Sequence, residues 1–417
     1  MKALSFDVSI PRYLLGKSMG DLTSAVTFGA LSGLRLKEIP EPVLPGPDWV
    51  RLEVLAAGIC GTDLSTLTFG ASPAMEPFGS FPAVLGHEIL ATVLEVGPEV
   101  RQVEVGQRVA VDPLVSCAVR GIEPGAMCPS CRQGRPATCA QAGEAGPMTL
   151  LGEPLAPGVT IGFHRDLPGG WGELMVAHES QLYPVPDDLP DNTAVLMEPL
   201  SIALHAVLGS PPSASDPVLV IGSGPIAMGA VWALRATGFE GTLLAQAKRF
   251  KEGHLALALG ATEVAKPGAE AREALIDTGA KGYMPLVGPE VYAGGGFPLI
   301  FDCVGSRESL EQALRYAAPR ARIVMLGCAG QLRKVDLTFL WARELEVLGY
   351  FGYGMERWRG EERHTFEITR ELLVATGASV GRMVTHVFPL TQYRDALKAA
   401  SNRKASKAMK VVLLPGV

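Results

Sequence analysis

The feature that most constrains the fold is an uncharged stretch of 18 residues between Asp216 and Arg235. Its length is near the lower limit for spanning a bilayer. Glycine and proline interrupt it, however, in the run Gly222-Ser223-Gly224-Pro225. A buried strand, a glycine turn and a buried helix explain this pattern better than a membrane span. We therefore predict a strand over Val218–Gly222 and a helix over Pro225–Thr237.

Short apolar strands and helical segments alternate from about Leu204 onward. This alternation predicts a parallel sheet with helices on both faces, because parallel strands need long crossovers. Further strands are expected at Thr242–Ala245, Leu299–Val304 and Arg322–Gly327, further helices at Gly253–Leu259 and Arg307–Ala317, and a loop excursion over the glycine-rich segment Lys266–Gly296.

The first half of the chain has a different texture, rich in glycine, proline and short β-branched runs such as Val50–Leu55, Ala91–Val96 and Arg108–Val111. The strand-rich texture returns near the end, from about Met383, with Ala408–Leu414 as its last clear strand. At 417 residues, two domains are expected. We predict an α/β protein in which a doubly wound parallel-sheet domain (204–350) is inserted into a β-rich, barrel-like domain (1–203 and 351–417).

Charge and composition favour a small-molecule ligand. The chain has 43 acidic and 37 basic residues, and its net charge is −6. With no long basic run, nucleic acid and anionic membranes are poor partners. Lys2 and Asp7 leave no room for the apolar part of a secretory signal, so we expect a cytoplasmic protein.

The glycine turn predicts a dinucleotide site. Gly222 permits a tight turn, and Gly224 lets the backbone approach a pyrophosphate at the positive end of the helix dipole. Ala227 is an accepted small residue at the third position. The alternative is a structural turn, as in any α/β protein. The predicted contacts are Gly222, Gly224, Pro225, Ile226 and Ala227.

The end of the next predicted strand indicates which cofactor is preferred. NAD-binding units usually carry Asp or Glu there to bind the adenosine ribose. Here the run is Leu244-Ala245-Gln246-Ala247-Lys248-Arg249, without a carboxylate and with two cations. Lys248 and Arg249 would suit the 2′-phosphate of NADP. The alternative is a solvated charge pair.

Three short segments carry candidate metal ligands: Gly58-Ile59-Cys60-Gly61-Thr62-Asp63, Gly86-His87-Glu88 and Glu198-Pro199-Leu200. Cys60, His87 and Glu198 offer a thiolate, an imidazole and a carboxylate, a set that leaves a fourth zinc position open for catalysis. Singly, each has an ordinary explanation: a core cysteine, a hydrogen-bonded histidine and an acid at a helix N-terminus.

Cysteines form a second candidate site. Four of the seven, Cys117, Cys128, Cys131 and Cys139, fall within 23 residues. In a reducing compartment such a cluster indicates metal rather than disulfides.

Taken together, these motifs resemble the zinc-containing medium-chain dehydrogenase/reductase family, which includes alcohol, sorbitol, threonine and glucose dehydrogenases. The resemblance covers nearly the whole chain and implies a GroES-like catalytic domain with an inserted Rossmann domain. A carboxylate at Glu198 favours the sorbitol and glucose dehydrogenase branch. The matching pieces are Cys60-Gly61-Thr62-Asp63, Gly86-His87-Glu88, Val105-Gly106-Gln107-Arg108-Val109, the cysteine cluster, Glu198-Pro199-Leu200-Ser201, the glycine turn and Asp302-Cys303-Val304-Gly305.

The resemblance also implies roles for the candidate catalytic residues. Zinc on Cys60, His87 and Glu198 would polarise the substrate oxygen and lower its pKa. Thr62 matches a hydroxyl that passes the proton outward, and Asp63 is a candidate acceptor for the free N–H of His87. Glu88 matches a residue near the metal that sometimes binds it.

Two departures from the family pattern concern packing and proton transfer. Ala91 replaces a glycine of the signature, which removes no chemical group. No histidine follows Asp63 to extend the proton relay, so proton exit would use Thr62 and the cofactor ribose.

The cysteine lobe, about 112–145, departs as well. Gly125 occupies the family's first cysteine position, and Cys117 would supply the fourth thiolate of a structural zinc site. The alternative is a lobe that has lost its metal. The nicotinamide half of the cofactor is expected against the backbone of Cys303, Val304, Gly327 and Cys328, with the two cysteines as packing residues rather than nucleophiles.

The expected activity is a reversible hydride transfer between NAD(P) and an alcohol, polyol or sugar hydroxyl, with NADP somewhat preferred. An NADPH-dependent aldehyde or ketone reductase of the same family is the rival. Zinc-free reductases of this fold do not fit the joint presence of Cys60, His87 and Glu198. Two zinc ions per chain and a homo-oligomer, dimer or tetramer, are also expected. The segment Ser9–Leu34 is longer than the family needs, and it is expected over the pocket or an interface.

Overall fold

The computed structural model describes residues 1–19, 24–29, 31–328 and 330–417. Its strands, in chain order, are β1 (Lys2–Phe6), β2 (Leu34–Glu38), β3 (Trp49–Gly58), β4 (Ala83–Val84), β5 (Glu88–Val96), β6 (Arg108–Val111), β7 (Thr149–Leu150), β8 (Glu153–Pro154), β9 (Leu174–His178), β10 (Leu182–Pro184), β11 (Val218–Ile221), β12 (Leu243–Gln246), β13 (Glu263–Ala265), β14 (Ala280–Tyr283), β15 (Val291–Gly294), β16 (Phe297–Asp302), β17 (Ala317–Met325), β18 (Glu346–Gly349), β19 (Met355–Trp358), β20 (Glu361–His364), β21 (Val384–Pro389) and β22 (Lys410–Leu414).

The helices are numbered in the same way, and short 3₁₀ turns join several of them. They are α1 (Ile10–Met19), α2 (Ser24–Thr27), α3 (Gly61–Leu67), α4 (Pro129–Arg132), α5 (Asp191–Ala194), α6 (Met197–Gly209), α7 (Pro225–Ala236), α8 (Phe250–Ala258), α9 (Ala269–Asp277), α10 (Arg307–Tyr316), α11 (Thr338–Ala342), α12 (Thr365–Thr376), α13 (Tyr393–Ser401) and α14 (Arg403–Ser406).

The chain divides into two compact units. The first comprises Met1–Glu198, Tyr353–Val374 and Val384–Val417, and the second comprises Pro199–Gly352 and Ala375–Met383. The second unit therefore interrupts the first, and its limits lie a few residues from the predicted ones at 203 and 350. The short segment Ala375–Met383 also belongs to it, within the stretch that the sequence analysis assigned to the return segment.

The second unit is built on a parallel sheet in the order β13-β12-β11-β16-β17-β18. Its strands are short and apolar, and β11 is buried over its whole length because helices cover both faces of such a sheet. This order is that of a Rossmann domain, which confirms the predicted fold class. The predicted loop at Lys266–Gly296 is wrong: this segment forms β13's connection, α9 and the antiparallel hairpin β14–β15. Its glycines lie in turns, and strand alternation there is too short to detect.

The first unit is a β-rich body around the sheet β10-β6-β5-β3-β22-β21, with β9 also paired to β3. Its core contains Trp49, Trp171 and Phe6, which are fully buried. β22 comes from the end of the chain and pairs with β3, so the return segment completes the sheet of the first half.

Two further expectations concern single segments. Within Ser9–Leu34, residues 20–23 and 30 lie outside the described residues, and the described part forms α1 and α2, with the Tyr13 ring 5.5 Å from that of Phe69. Across the described ranges, no helix has the length and apolar character needed to cross a membrane. The uncharged stretch before Arg235 forms β11, the glycine turn and α7, as predicted.

Candidate metal centre and cofactor site

The register of two strands brings Cys60 and His87 together. β3 and β5 are antiparallel, and Gly58 at the end of β3 pairs with Glu88 at the start of β5. Cys60 follows β3 by two residues, and His87 directly precedes β5. Gly86 has a φ of +92°, and a side chain there would overlap the Trp171 ring, so the turn before His87 requires glycine.

Asp63 links α3 to the imidazole. The backbone N–H of Cys60, at the N-cap of α3, donates to Asp63 Oδ2 at 2.8 Å. The other oxygen, Oδ1, lies 3.3 Å from His87 Nδ1, which leaves Nε2 for a metal. Burial lowers the pKa of His87, but Asp63 and Cys60 outweigh burial and raise this pKa well above its ordinary value. Thr62 Oγ1 lies 3.7 Å from Cys60 Sγ.

Glu88 has its own counter-ion. One ligand atom each from Cys60, His87 and Glu88 lie within 4.8 Å of one another. The Glu88 carboxylate is buried, and Lys410 Nζ donates to its two oxygens at 2.5 and 2.6 Å. Lys410 also lies 3.4 Å from the carbonyl oxygen of Ile59 and is itself buried. The Glu88 charge is therefore offset within the protein.

Glu198 lacks such compensation. It lies in the first turn of α6 and is 4% exposed. The hydroxyl of the fully buried Tyr353 donates to Oε1 at 3.2 Å, whereas the buried Oε2 has no hydrogen-bond partner in the described part of the chain. Burial raises the pKa of Glu198 to about 7, although His87 opposes the shift. Because a buried carboxylate oxygen without a donor is costly, this site favours a bound cation.

The four predicted cysteines converge. The sulfur atoms of Cys117, Cys128, Cys131 and Cys139 lie within 4.8 Å of one another. Sγ of Cys139 lies 3.7 Å from that of Cys117 and 4.0 Å from that of Cys128, far beyond a disulfide bond. Tetrahedral Zn–S bonds of about 2.3 Å place sulfurs ~3.8 Å apart. The cluster therefore has the dimensions of a four-thiolate zinc site.

Local charges favour thiolates in this cluster. Burial raises the pKa of Cys128, but backbone N–H groups of Cys131 and Ala140 lower it below its ordinary value. The guanidinium of Arg120 is fully buried, and its printed acceptors are backbone carbonyls, Glu144 O at 2.9 Å among them. Burial lowers the pKa of Arg120, and the neighbouring cysteines oppose that shift. Anionic sulfurs would balance this buried cation.

In the second unit, the predicted cofactor residues share one edge of the sheet. Ile221, at the end of β11, pairs in register with Gln246 and with Asp302. The turns after these strand ends therefore lie side by side at the carboxyl edge, where dinucleotides bind in such folds. Gly222 has a φ of +119°, and Gly224 precedes Pro225 at the start of α7. Ile226 and Ala227 follow in the first turn of this helix.

The segment after β12 differs from the expected charge pair. Gln246 is buried, and its Nε2 has no partner among the described residues. Lys248 is exposed, but the Arg249 guanidinium binds Glu252 Oε1, with Nε at 2.9 Å. The other oxygen of Glu252 accepts from Ser223 Oγ at 2.5 Å. A carboxylate that the sequence analysis missed therefore lies beside the glycine turn.

Asp302 shapes the next turn. Its Oδ1 accepts from the backbone N–H groups of Val304 and Gly305 at 3.0 and 3.1 Å, and its Oδ2 accepts from Ser309 Oγ at 3.0 Å. Gly327 N donates to the Asp302 carbonyl, which places Gly327 and Cys328 beside the turn. Burial raises the pKa of Cys303 well above its ordinary value, so its thiol is a poor nucleophile.

Tyr353, Lys410, Arg120 and Glu252 are absent from the predicted site. A lysine at the start of the apolar run Val411–Leu414 was a usable signal, because a charge at a buried strand position needs a partner. Glu252, 28 residues after Gly224, lies beyond the strand end where a carboxylate was sought. Nothing in the sequence marks Tyr353 or Arg120.

Comparison with known proteins defines the class. An alcohol dehydrogenase GroES-like domain model matches residues 46–187, and a zinc-binding dehydrogenase model matches residues 225–367. The chain belongs to the zinc-containing medium-chain dehydrogenase/reductase family. Within that class it is a zinc-type, NAD(P)-dependent dehydrogenase.

Individual relatives span nearly the whole chain. A probable diacetyl reductase ((R)-acetoin forming) of Saccharomyces cerevisiae is 29% identical over 90% of this chain and 86% of its own length. L-idonate 5-dehydrogenase of Vitis vinifera is 28% identical over 95% and 96%. The crystal structure of a putative zinc-binding dehydrogenase of Sinorhizobium meliloti 1021, bound to NADP, has a TM-score of 0.69 and 28% identity over 99% of both chains.

Proposed function

We propose that this enzyme oxidises a secondary hydroxyl of a polyol, sugar or vicinal diol to the ketone, transferring the hydride to NAD(P)⁺ and releasing one proton. The carrying observation is the buried group of Cys60, His87 and Glu88 beside Glu198, whose Oε2 lacks a partner among the described residues. Thiolate, imidazole and carboxylate are the donors that zinc prefers.

The residues present fit a catalytic zinc ion. We propose Cys60, His87 and Glu198 as ligands, because Glu198 carries an uncompensated carboxylate oxygen and Glu88 is paired with Lys410. Glu88 is then a neighbour of the metal that can replace Glu198. When bound, zinc supplies Lewis acidity, which polarises the substrate oxygen and lowers its pKa.

The surrounding side chains orient the ligands and carry the proton. Asp63 holds the His87 ring through Nδ1, and Tyr353 holds one oxygen of Glu198. Thr62, with its hydroxyl next to the Cys60 sulfur, is the proposed first acceptor of the substrate proton. No histidine follows Asp63, so the next carrier is the ribose of the cofactor.

The cofactor is held by the glycine turn and the adjoining strand ends. We propose a moderate preference for NADP, supported by Lys248, by Arg249 and by the absence of a carboxylate in the run 244–249. The unpartnered Nε2 of Gln246 adds a donor where NAD-binding chains place an acceptor. Backbone groups of Cys303, Val304, Gly327 and Cys328 are the proposed neighbours of the nicotinamide half.

The substrate class rests on the relatives. The yeast protein is named for a reaction that forms acetoin, and the grape protein for oxidation at carbon 5 of L-idonate. Both names describe a secondary alcohol next to another oxygenated carbon. The acetoin relative also supports the rival direction, carbonyl reduction with NADPH.

Two experiments test this proposal. Initial rates with 2,3-butanediol, sorbitol and ethanol, with either cofactor, should favour the first two over ethanol, and faster oxidation of ethanol would contradict the substrate class. Glu198→Ala should abolish turnover and empty the catalytic metal site, while the Kd for the reduced cofactor changes less than about threefold. If the variant stays active and retains its zinc, Glu88 is the third ligand.

The remaining expectations extend the proposal. A second zinc ion on Cys117, Cys128, Cys131 and Cys139 would be structural, because four thiolates leave no open position. All described cysteines are free, which fits a reducing compartment such as the cytoplasm. A homo-oligomer, dimer or tetramer, is the proposed assembly, to be tested by light scattering.

A further inference from the structure

Glu252 connects two parts of the cofactor edge that the sequence separates by 28 residues or more. Its Oε2 accepts from the hydroxyl of Ser223, which lies in the glycine turn. Its Oε1 accepts from Nε of Arg249, at the start of α8. The side chain is 5% exposed, so both contacts are made in a largely desolvated position.

This position is where the adenosine ribose is expected. In Rossmann domains the pyrophosphate lies at the glycine turn, and the ribose lies between that turn and the end of the second strand. Ser223 belongs to the turn, and Gln246 ends the second strand in register with Ile221. Glu252 reaches this region from the first turn of α8, instead of from the strand end.

Two opposite charges therefore lie together at the ribose end. The carboxylate can accept a hydrogen bond from the 2′-hydroxyl of NAD, and it repels the dianionic 2′-phosphate of NADP. The guanidinium and Lys248 do the reverse. Since Arg249 is already paired with Glu252, only part of its charge is available to a phosphate.

We propose that Glu252 is a specificity-determining residue that replaces the missing carboxylate at the end of β12 and keeps NAD acceptable to this enzyme. The inference rests on the proposed function, in which Lys248 and Arg249 favour NADP. Glu252 limits that preference, and the enzyme uses both dinucleotides.

The test is a cofactor titration of the zinc-loaded full chain. NADH and NADPH are titrated by fluorescence against the parent and Glu252→Gln. We expect the ratio of Kd for NADH to Kd for NADPH to rise at least tenfold in Glu252→Gln, because NADH loses its acceptor and NADPH loses a repulsion. Glu252→Ala should shift the ratio in the same direction.

Glu263→Gln is the matched control. It removes the same charge from an exposed position at the start of β13, and its ratio should equal that of the parent. The melting temperature of each variant shows whether it folds. Glu252→Ala provides the decision if Glu252→Gln does not fold.

The possible outcomes separate this inference from the cofactor preference. If the parent prefers NADPH and the ratio is unchanged in Glu252→Gln, the inference is overturned. Equal weakening of both cofactors also overturns it, because Glu252 is then only a tie between α8 and the glycine turn. If the parent shows no preference but the ratio still rises tenfold, the inference holds and the NADP preference is wrong. Failure of the parent to bind either cofactor contradicts both.

Discussion

Tyr353→Phe isolates one hydrogen bond to a proposed zinc ligand. The substitution removes only the hydroxyl that donates to Glu198 Oε1 at 3.2 Å and keeps the buried ring, 4.7 Å from that of Phe366. Hydrogen bonds to charged groups contribute about 1.5 to 3 kcal/mol, and this bond is long for O–H···O. The low end applies, so zinc should bind about tenfold more weakly, at ~1.4 kcal/mol per decade.

The affinity of the catalytic site is measured by competition with a chromophoric chelator, and turnover is measured with zinc in excess. Tyr183→Phe is the matched control: its ring stacks 4.9 Å from the same Phe366, and no hydrogen bond from it to Glu198 is described. We expect unchanged zinc affinity in the control and an unchanged KM for the cofactor in both variants. Equal zinc affinity of Tyr353→Phe and the parent would refute the positioning role of this hydroxyl.

Two other predictions concern the cysteine lobe and a buried histidine. Cys117→Ser should lower the zinc content from two to one per chain by metal analysis, whereas Cys303→Ser should leave it unchanged; one zinc in the parent would contradict the structural site. Burial lowers the pKa of His164 to about 4, against about 6.5 in the unfolded chain. The unfolded state therefore binds more protons between these values, and stability is lost as pH falls through this window. From pH 7 to pH 5 the free energy of unfolding should fall by about 2 kcal/mol more in the parent than in His164→Gln, measured by urea denaturation; equal losses would contradict the shift.

The sequence predicted those site residues that lie in short local motifs. Cys60 and His87 occur next to glycines at strand ends, and the glycine turn of 222–224 follows an apolar strand, so local spacing was sufficient. Cys117 was found although Gly125 occupies the expected position, because a sulfur ligand has few other uses in a cysteine cluster.

Contacts between distant segments could not be predicted in the same way. Tyr353 lies 155 residues from Glu198 along the chain, and only the return of the chain through Tyr353–Val374 brings them together. Lys410 reaches Glu88 because β22 pairs with β3, a register that no local pattern specifies. Glu252 was missed because the search for a ribose carboxylate ended with β12.

Buried charges support the metal assignments independently of the motifs. A buried charge is tolerated only when an opposite charge or hydrogen bonds compensate it, because its desolvation costs several kcal/mol. Lys410 satisfies this condition for Glu88. Glu198 has one oxygen that no described group compensates, and Arg120 is a buried cation beside four sulfurs, with only carbonyls among its printed acceptors. A divalent cation at the first site supplies the missing positive charge. At the second site, four thiolates around zinc carry a net charge of −2, which the single charge of Arg120 partly offsets. The two imbalances have opposite signs, and zinc with the proposed ligands reduces both.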